Sequence, residues 1–304
     1  MSEPVEPLRI GVLGVPGGWS SESLADAFRA RGAEVLLIDA EGLSFDSERG
    51  AVCWGEVDLR GFDAIVIKKV GKEYGTLLLD RLELLRFVEA QGIPCFSSPE
   101  RILRHMNRLS CTLAMRRAGI PVPATVVTQD WKEARSAVKR FGEAVLKPIY
   151  STKARGMLLV KKGDKELKSK LQHFHETNPL IYVQQRVTLP GRDMGVVFLG
   201  GDYLGSYARV AAKGSWATTI RAGGKYAAAD PSPDLVELAR KAQAIFGLDF
   251  ASVDVGQTPD GPVVFEVTAF GGFRGLHEGS NLEAATAYAD YVLERMISAR
   301  EEAA

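Results

Sequence analysis

The sequence predicts a mixed α/β and α+β protein, in which an N-terminal open parallel α/β sheet precedes two smaller lobes. Strand and helix patterns alternate along the first hundred residues, whereas later strands form a β-loop-β-α-β unit and a hairpin. Between these regions a helical pattern gives way, near 98–120, to a segment that Pro121 and Pro123 keep extended. With 304 residues, of which 46% are hydrophobic, the chain can bury the cores of two or three domains.

Residues 1–98 form the first predicted domain. The strand patterns LRIGVLG and EVLLID flank a helix, SESLADAFRARG, which is expected to begin near Ser20 or Ser21 and to end at Gly32. AIVIKK at 64–69 is a further buried strand, LLLDRLELLRFVEAQG is a helix, and IPCFSS is a short strand. This order indicates an open parallel sheet.

The loop after the first strand is rich in glycine. GVLGVPGG matches neither the GxGxxG nor the GxxxxGK[ST] spacing, so it is weak evidence for a phosphate site, and a structural turn explains it. A role in substrate binding stays open, because this loop follows a first parallel strand, where open α/β sheets bind ligands.

The second predicted domain, residues 99–186, combines a linker helix with a lobe. PERILRHMNRLSCTLAMRRA has apolar residues at helical spacing. The lobe then consists of helix WKEARSAVKRFG, strand AVLKPIY, polar loop STKARG, strand MLLVKK, a helix near 164–176 and strand IYVQQRV.

The third predicted domain, residues 187–304, has strands around 194–199 and 203–210 and a loop through 222–231. Helix SPDLVELARKAQAIFG, hairpin FASVDVGQTPDGPVVFEV and a closing helix at 281–298 complete it. No internal repeat or low-complexity tract is apparent in the sequence.

Two carboxylates interrupt the apolar strands of this hairpin. A three-residue loop, Pro259-Asp260-Gly261, would pair Thr258 with Pro262 and set Asp254 directly opposite Glu266. Like charges in such positions are destabilising unless a cation lies between them, and carboxylate oxygens suit Mg²⁺. The alternative is that both side chains point into solvent as an ordinary polar face.

Lys147 is a lone charge at the end of the apolar strand AVLKPIY. An ammonium in this position suits a phosphate, although snorkelling at a strand end explains it as well. The loop at 151–156 has hydroxyls, cations and backbone N–H groups suited to covering phosphates, and a solvated hairpin loop is the alternative.

Composition argues against several classes of protein. Lys plus Arg and Asp plus Glu both total 38, so no net charge attracts the chain to nucleic acid or an acidic membrane. Cys53, Cys95 and Cys111 form no CxxC pair, which argues against a zinc cluster or disulfide framework and predicts buried thiols in a reducing cytoplasm. The sequence has neither a signal-peptide pattern nor an apolar run of the ~18 residues that span a membrane.

A resemblance joins these motifs. The order of Lys147-Pro148, the loop at 151–156, VQQRV, GRD, Asp254 and FEVTA resembles the ATP-grasp superfamily, and within it the RimK-type amino-acid ligases. The resemblance covers roughly residues 95–295 and implies a pre-ATP-grasp domain followed by a two-lobed ATP-grasp fold. GVPGGWSSE, STKARG and FEVTAFGGFRGL are similar to the ATP-grasp member of the bacterial GAK system.

The resemblance also implies roles for residues. The ATP site would use Lys147 on the α/β-phosphates, Gln185 on the adenine amino group, the backbone of Arg186 and Val187 on the ring edge and Asp193 near the ribose, with further contacts from Arg108, Ser151, Lys153 and Thr219. Mg²⁺, or Mn²⁺, would be held by Asp254, Glu266 and Thr268. Arg209 would lie near the transferred phosphoryl group.

Several positions depart from the family pattern. Thr268 replaces the Asn of a Glu-x-Asn metal triplet, and Arg108 replaces a lysine in the linker helix. Gly195 and Ala217 stand where the family has arginines, which removes charge from the expected acyl-phosphate site. The candidates to replace this charge are Arg221, Lys213 and Arg274.

The function implied is ADP-forming ligation of a carboxylate, on a small molecule or peptide, to an amine through an acyl-phosphate, by a homodimer or homotetramer. An ATP-binding regulatory module without turnover and a small-molecule kinase are the alternatives. His105, His173 and His175 fall on surface-like helical stretches, whereas His277 could approach the substrate.

Overall fold

The computed structural model describes residues 6–303. Its first part is built on a parallel sheet with the order β2-β1-β6-β7, and a small antiparallel sheet, β3-β4-β5, lies beside it. The elements are β1 (Arg9–Gly14), α1 (Trp19–Arg29), β2 (Glu34–Asp39), β3 (Leu43–Asp46), β4 (Ala51–Trp54), β5 (Val57–Asp58), β6 (Ala64–Ile67), α2 (Leu77–Ala90) and β7 (Cys95–Phe96). The predicted open parallel sheet is confirmed, whereas the β3-β4-β5 sheet was not predicted.

Helix α1 begins earlier than its serines suggest. Gly18 is the N-cap, and the Ser21 hydroxyl accepts a hydrogen bond from the N–H of Val15 at 3.0 Å rather than capping the helix. Ser21 therefore stabilises the turn after β1. A Cβ added to Gly14 would lie 2.6 Å from the Ser21 Cβ, so the strand end and the helix can approach this closely only with glycine here.

The linker forms two helices, α3 (Pro99–Met106) and α4 (Arg108–Arg117), where the sequence pattern suggested one helical stretch. The break lies at Asn107. Its side-chain oxygen accepts hydrogen bonds from the N–H groups of Leu109 and Ser110 and caps α4. Arg108 thereby becomes the first residue of a helix and points toward the cleft described below.

The central lobe is an antiparallel sheet, β10-β9-β11-β8, covered by two helices. Its elements are β8 (Thr125–Thr128), α5 (Trp131–Phe141), β9 (Glu143–Lys147), β10 (Leu158–Lys161), α6 (Leu167–Thr177) and β11 (Ile181–Gln185). The β-loop-β-α-β order is as predicted. A hydrophobic core of its own joins the two helices to the sheet, with Val138, Leu146 and Phe174 among its members.

The C-terminal part contains the sheet β14-β13-β12-β15-β16. Its elements are β12 (Arg192–Leu199), β13 (Asp202–Val210), β14 (Lys225–Ala228), α7 (Pro233–Ala244), β15 (Phe250–Thr258), β16 (Gly261–Thr268), α8 (Phe273–Ser280) and α9 (Ala284–Ala303). Two expectations were wrong here. The predicted loop at 222–231 contains β14, and the predicted closing helix at 281–298 begins only at Ala284, after the separate helix α8.

The first and last parts of the chain share their hydrophobic cores. One cluster joins Val12 and Phe28 of the first part to Phe250, Tyr288 and Val292 of the last. The central lobe contributes to neither of the two large clusters, so its core can shift relative to the rest without breaking them. The division into 1–98, 99–186 and 187–304 stays a prediction. In the described residues, no helix combines the length and the hydropathy that crossing a membrane requires.

Candidate active site

A cleft of about 890 Å³ lies where the three parts of the chain meet. The N-terminal part contributes the turn after β1 and the end of β6, and the linker contributes α3 and α4. The central lobe contributes the loop that follows β9, and the C-terminal part contributes β13, β15, β16 and the turn into α8. The carboxyl ends of β1 and β6 thus face the two-lobed part of the molecule, as expected for a ligand site in an α/β sheet.

Asp254 on β15 lies directly opposite Glu266 on β16, as predicted. The turn that produces this pairing differs from the predicted one. Thr258 pairs with Gly261, so the loop has two residues, and a β-bulge in the β15–β16 pairing restores the opposition of the two carboxylates. Both acids line the cleft.

Arg209 joins Asp254 to Asp193. Its guanidinium lies 2.8 Å from Asp254 Oδ2 and donates to both oxygens of Asp193, at 3.0 and 2.7 Å. Burial raises the pKa of the Asp254 carboxyl, while the charge of Arg209 acts in the opposite direction. Asp193 is buried behind Arg209 and is not part of the cleft lining, so its place near a ribose stays a prediction.

Glu266 connects to the linker and to the loop at 151–156 through Arg108. The Arg108 guanidinium donates to Glu266 Oε2 at 3.1 Å, to Ser151 Oγ at 3.2 Å and to the carbonyl of Pro148 at 3.2 Å. Arg108 is buried, whereas the Glu266 side chain is 39% exposed. Ser151 and Lys153 both line the cleft, so the arginine holds the loop over the acid pair.

Lys147 ends β9 as a buried lysine and, unlike Ser151 and Lys153, is not part of the cleft lining. It donates a hydrogen bond to Oε1 of Gln184, which in turn donates to Thr125 and Tyr182. Burial and the charge of Arg108 lower the pKa of Lys147 to about 7. Gln184, which the sequence analysis did not select, is therefore the glutamine that faces this lysine.

The predicted adenine-binding residues lie along the end of β11. The Gln185 side chain is exposed, and its N–H donates to the carbonyl of Ala124. The N–H of Arg186 donates to the carbonyl of Glu143, and its guanidinium pairs with the Glu143 carboxylate at 2.6 Å. None of the residues 185–187 belongs to the cleft lining, so their contact with adenine stays a prediction.

The remaining predicted residues divide into two groups. Thr219, Arg221, Thr268 and Arg274 line the cleft, whereas the exposed Lys213 does not. The Thr268 hydroxyl oxygen accepts a hydrogen bond from the N–H of Phe270 at 3.1 Å, and its place in the metal site stays a prediction.

Tyr207 explains the glycine at 195. A Cβ on Gly195 would lie 2.3 Å from Cζ of the Tyr207 ring, and a Cβ on Gly275 would lie 2.5 Å from Cε2 of the same ring. The buried ring therefore fills the space that a side chain at 195 would need.

Gly195→Ala is expected to lower the free energy of unfolding by about 1–3 kcal/mol, because the methyl group overlaps a buried ring. Urea unfolding measures the effect, and Gly195→Ala combined with Tyr207→Leu should recover part of it. Gly75→Ala is a matched control, since no atom lies within 4 Å of the point that its Cβ would occupy. Wild-type stability of Gly195→Ala would contradict the conclusion that the Tyr207 ring fills this space.

The histidines differ from expectation. His105 was predicted on a surface-like stretch, but it is buried against Phe246 and Phe270, and burial lowers its pKa to about 4. His277 is 44% exposed, lies 2.6 Å from Glu283 and contacts the Trp19 ring. It is not part of the cleft lining. As predicted, Cys53, Cys95 and Cys111 are free and buried.

Lys68 and Lys69 also line the cleft, and the sequence analysis assigned them no role. Lys68 is fully buried, and the Lys69 ammonium donates to the carbonyl of Phe270 at 2.7 Å. Their signal in the sequence is the pair of lysines at the end of the apolar strand AIVIKK, where a parallel sheet meets its ligand.

Comparisons with known proteins agree with this geometry. A family model described as a RimK-like ATP-grasp domain matches residues 105–292. Tetrahydromethanopterin:alpha-L-glutamate ligase of Methanosarcina acetivorans is 29% identical over 256 residues, which are 79% of each chain. A probable alpha-L-glutamate ligase of Maridesulfovibrio salexigens is 26% identical over 94% of this chain and 95% of the relative. A RimK domain ATP-grasp protein of Sphaerobacter thermophilus has a similar fold, with a TM-score of 0.74, 24% identity and coverage of 93% and 98%.

Proposed function

The chain belongs to the RimK-like ATP-grasp family, and on that premise we propose that it is a Mg-ATP-dependent ligase that joins a carboxylate to an amine. The observation that carries the proposal is the connected set of Asp254, Glu266, Arg108 and Ser151 at the junction of the lobes. The names of the relatives support an α-amino acid as the amine substrate.

The acid pair fits a divalent cation. Asp254 and Glu266 are directly opposed, and their oxygens are the hard ligands that Mg²⁺ prefers, with Mn²⁺ as an alternative ion. Thr268, next but one to Glu266, would complete the set. A bound Mg²⁺ would screen the negative charge of the β- and γ-phosphates.

The surrounding cations would hold the nucleotide and the phosphoryl group. Lys147 ends β9, and Ser151 and Lys153 belong to the loop that follows it and line the cleft. All three are assigned to the phosphates of ATP. Arg209 positions Asp254 and adds positive charge next to it. With Arg221 and Arg274, which line the same cleft, it would stabilise the charge that develops on the transferred phosphoryl group.

The reaction needs little covalent chemistry from the protein. A carboxylate oxygen of the acceptor attacks the γ-phosphorus, ADP leaves, and an uncharged amine then attacks the acyl carbon and releases phosphate. The protein aligns the reacting groups and keeps the mixed anhydride from water. The lobe with the separate core, which contains Lys147, is suited to close over the nucleotide.

Trapping with hydroxylamine tests the proposal. With Mg-ATP and the right acid, hydroxylamine replaces the amine, so ADP, phosphate and a hydroxamate are expected in equal amounts. A kinase would give ADP and a phosphorylated alcohol without hydroxamate, and a binding module would release no ADP. Either outcome, across a broad panel of acids, would reject the ligase.

Further features belong to the same proposal. The resemblance of GVPGGWSSE and FEVTAFGGFRGL supports a place in the bacterial GAK system, and the free cysteines support a reducing cytoplasm. A homodimer or homotetramer is proposed from the family resemblance. The acceptor is proposed to be a small molecule or a peptide carboxylate.

A further inference from the structure

Lys68 is a buried lysine without a carboxylate partner among the described residues, and burial, with a further contribution from the charge of Lys69, lowers its pKa. It is 1% exposed, and its Nζ lies 3.2 Å from the carbonyl of Gly271 and 3.5 Å from the centre of the Phe273 ring. No carboxylate in residues 6–303 lies within 4.0 Å of it. Burying a cation against a carbonyl and an aromatic face costs free energy that a structural residue such as methionine would avoid.

Lys69 repeats this arrangement one residue further along. Its Nζ donates to the carbonyl of Phe270 at 2.7 Å, and it also has no carboxylate within 4.0 Å in the described part of the chain. Burial, with a further contribution from the charge of Lys153, lowers the pKa of Lys69 to about 7. Lys153 belongs to the loop assigned to the ATP phosphates, so Lys69 lies near the reacting end of the nucleotide.

The cleft lining also contains a buried hydroxyl without a hydrogen-bond partner among the described residues. Ser252 is 0% exposed, lines the cleft, and its Oγ has no hydrogen-bond partner among the described residues. A Cβ on Gly271, whose carbonyl accepts from Lys68, would lie 3.2 Å from the Ser252 Cβ. Helix α8 begins two residues later at Phe273, and the N–H groups of a first helical turn favour an anion.

The ion pairs at the cleft do not include Lys68 or Lys69. Arg108 pairs with Glu266, Arg209 with Asp254 and Asp193, and Arg274 with Glu278. The acids that line the cleft, Asp254 and Glu266, are thus occupied by arginines and by the proposed cation. Lys68, Lys69 and Ser252 therefore line the cleft outside these ion pairs, and an anionic ligand would supply the negative charge that the two lysines lack.

We propose that Lys68, Lys69 and Ser252 form a subsite for the acceptor, and that the acceptor carries a second anionic group beside the carboxylate that becomes phosphorylated. The subsite rests on the ligase function proposed above, because it binds the non-reacting part of that substrate. The second group is a carboxylate or a phosphate, both of which accept hydrogen bonds from ammonium groups.

Pairs of acids that differ only in the second anionic group test this. The pairs are succinate with succinamate, glutarate with glutaramate, and 3-phosphoglycerate with glycerate, each titrated into the full chain with Mg²⁺ and a non-hydrolysable ATP analogue. At least one dianion is expected to bind about tenfold or more tightly than its matched monoanion. Which pair shows the preference tells whether the second anionic group is a carboxylate or a phosphate. Equal affinities within every pair, or no binding by any dianion, would overturn the subsite.

Variants assign the preference to the lysines. Lys69→Met and Lys68→Met are each expected to weaken the dianion about tenfold and to abolish the discrimination, and for Lys68→Met nucleotide affinity should change by less than about threefold. Their melting temperatures should not fall, because each removes a buried unpaired cation. Lys162→Met, an exposed lysine outside the cleft, is the matched control with unchanged affinity. Unchanged discrimination in both variants would contradict the proposal.

The binding readout is independent of turnover. If dianions bind and depend on the lysines but no acid yields ADP or hydroxamate, the ligase function fails and the anion subsite stands. If hydroxamate forms equally well from monoanionic acids and the Lys69→Met enzyme keeps its KM for them, the ligase stands and the subsite fails.

Discussion

Asp254→Asn is expected to lower kcat for ADP formation by about 10³-fold or more. The substitution keeps the shape of the side chain but removes one of the two opposed carboxylates that are proposed to hold Mg²⁺. Arg209 keeps its two hydrogen bonds to Asp193, so the positions of β12 and β13 should not change. ADP release at saturating ATP, measured over a range of Mg²⁺ concentrations, gives the effect.

Stability separates this loss from misfolding. Burial raises the pKa of Asp254 above that of an unfolded aspartate, so the folded state binds more protons between about pH 4 and 7. The contribution of Asp254 to the stability of the wild type is therefore lost as pH rises through that window, and Asp254→Asn lacks this loss. The variant is expected to equal the wild type near pH 4 and to exceed it near pH 7 in unfolding without Mg²⁺.

The same hairpin supplies the control. Asp260→Asn changes an exposed carboxylate in the turn, outside the cleft, and should leave kcat within about twofold. Mg-ATP should raise the melting temperature of the wild type and of Asp260→Asn but much less that of Asp254→Asn. An Asp254→Asn enzyme with more than a tenth of wild-type kcat would exclude this carboxylate as a metal ligand.

The sequence predicted this hairpin for a partly wrong reason. Alternation of apolar and acidic residues located both strands, and it identified Asp254 and Glu266 as the positions that must face each other. The loop was predicted one residue too long. A β-bulge makes up the difference, and such a bulge has no clear signal in a single sequence. The opposition of the two acids was therefore predicted correctly although the turn was not.

Buried strands and long amphipathic helices were predictable because their patterns extend over many residues. The β3-β4-β5 sheet was missed because its strands are at most four residues long and include exposed polar positions. The break at Asn107 was missed because apolar spacing continues across it. The Asn107 cap determines where the helix breaks, and the spacing of apolar residues carries no information about caps.

Within the site, the sequence identified candidate residues but not the residues that they contact. The two glutamines of VQQRV are neighbours, and only the direction of β11 makes Gln184 the one that faces Lys147. The sequence analysis interpreted Gly195 as the loss of a positive charge. In the structure, the Tyr207 ring from the adjacent strand occupies the space beside this glycine. Contacts between strands distant in sequence, such as Lys68 with Gly271, depend on the assembled fold.

Lys147→Met is expected to weaken ATP binding by about 10- to 100-fold, the range for losing a charge-assisted hydrogen bond in a buried site. Lys147 is 9% exposed at the end of β9, and its partner Gln184 is neutral, so the ammonium is available to phosphate. Isothermal titration with Mg²⁺ and a non-hydrolysable ATP analogue measures the affinity. Lys161→Met, an exposed lysine on the adjacent strand β10, should bind as the wild type does.

Proton uptake distinguishes a phosphate contact from a structural role of Lys147. Its pKa of about 7 leaves it mostly neutral at pH 8, and phosphate oxygens beside it would raise that pKa, so binding should take up a proton there and little at pH 6. Titrations in buffers of different ionisation enthalpy measure the uptake. The proton uptake should be smaller by ~1 proton in Lys147→Met than in the wild type. Any proton that Lys69 takes up is taken up in both proteins and does not affect this difference. Equal uptake in the two proteins would place the phosphates away from Lys147.

Lys147→Met should raise the stability of the free protein, although it lowers the affinity of the protein for ATP. Because the folded pKa of Lys147 lies below the unfolded value, burial of the lysine destabilises the fold fully below about pH 7 and progressively less as pH rises toward 10.5. Lys147→Met should therefore be more stable than the wild type at neutral pH, and the difference should shrink in alkaline solution. A residue that raises stability when it is removed, and lowers ATP affinity at the same time, is retained for the nucleotide rather than for the fold.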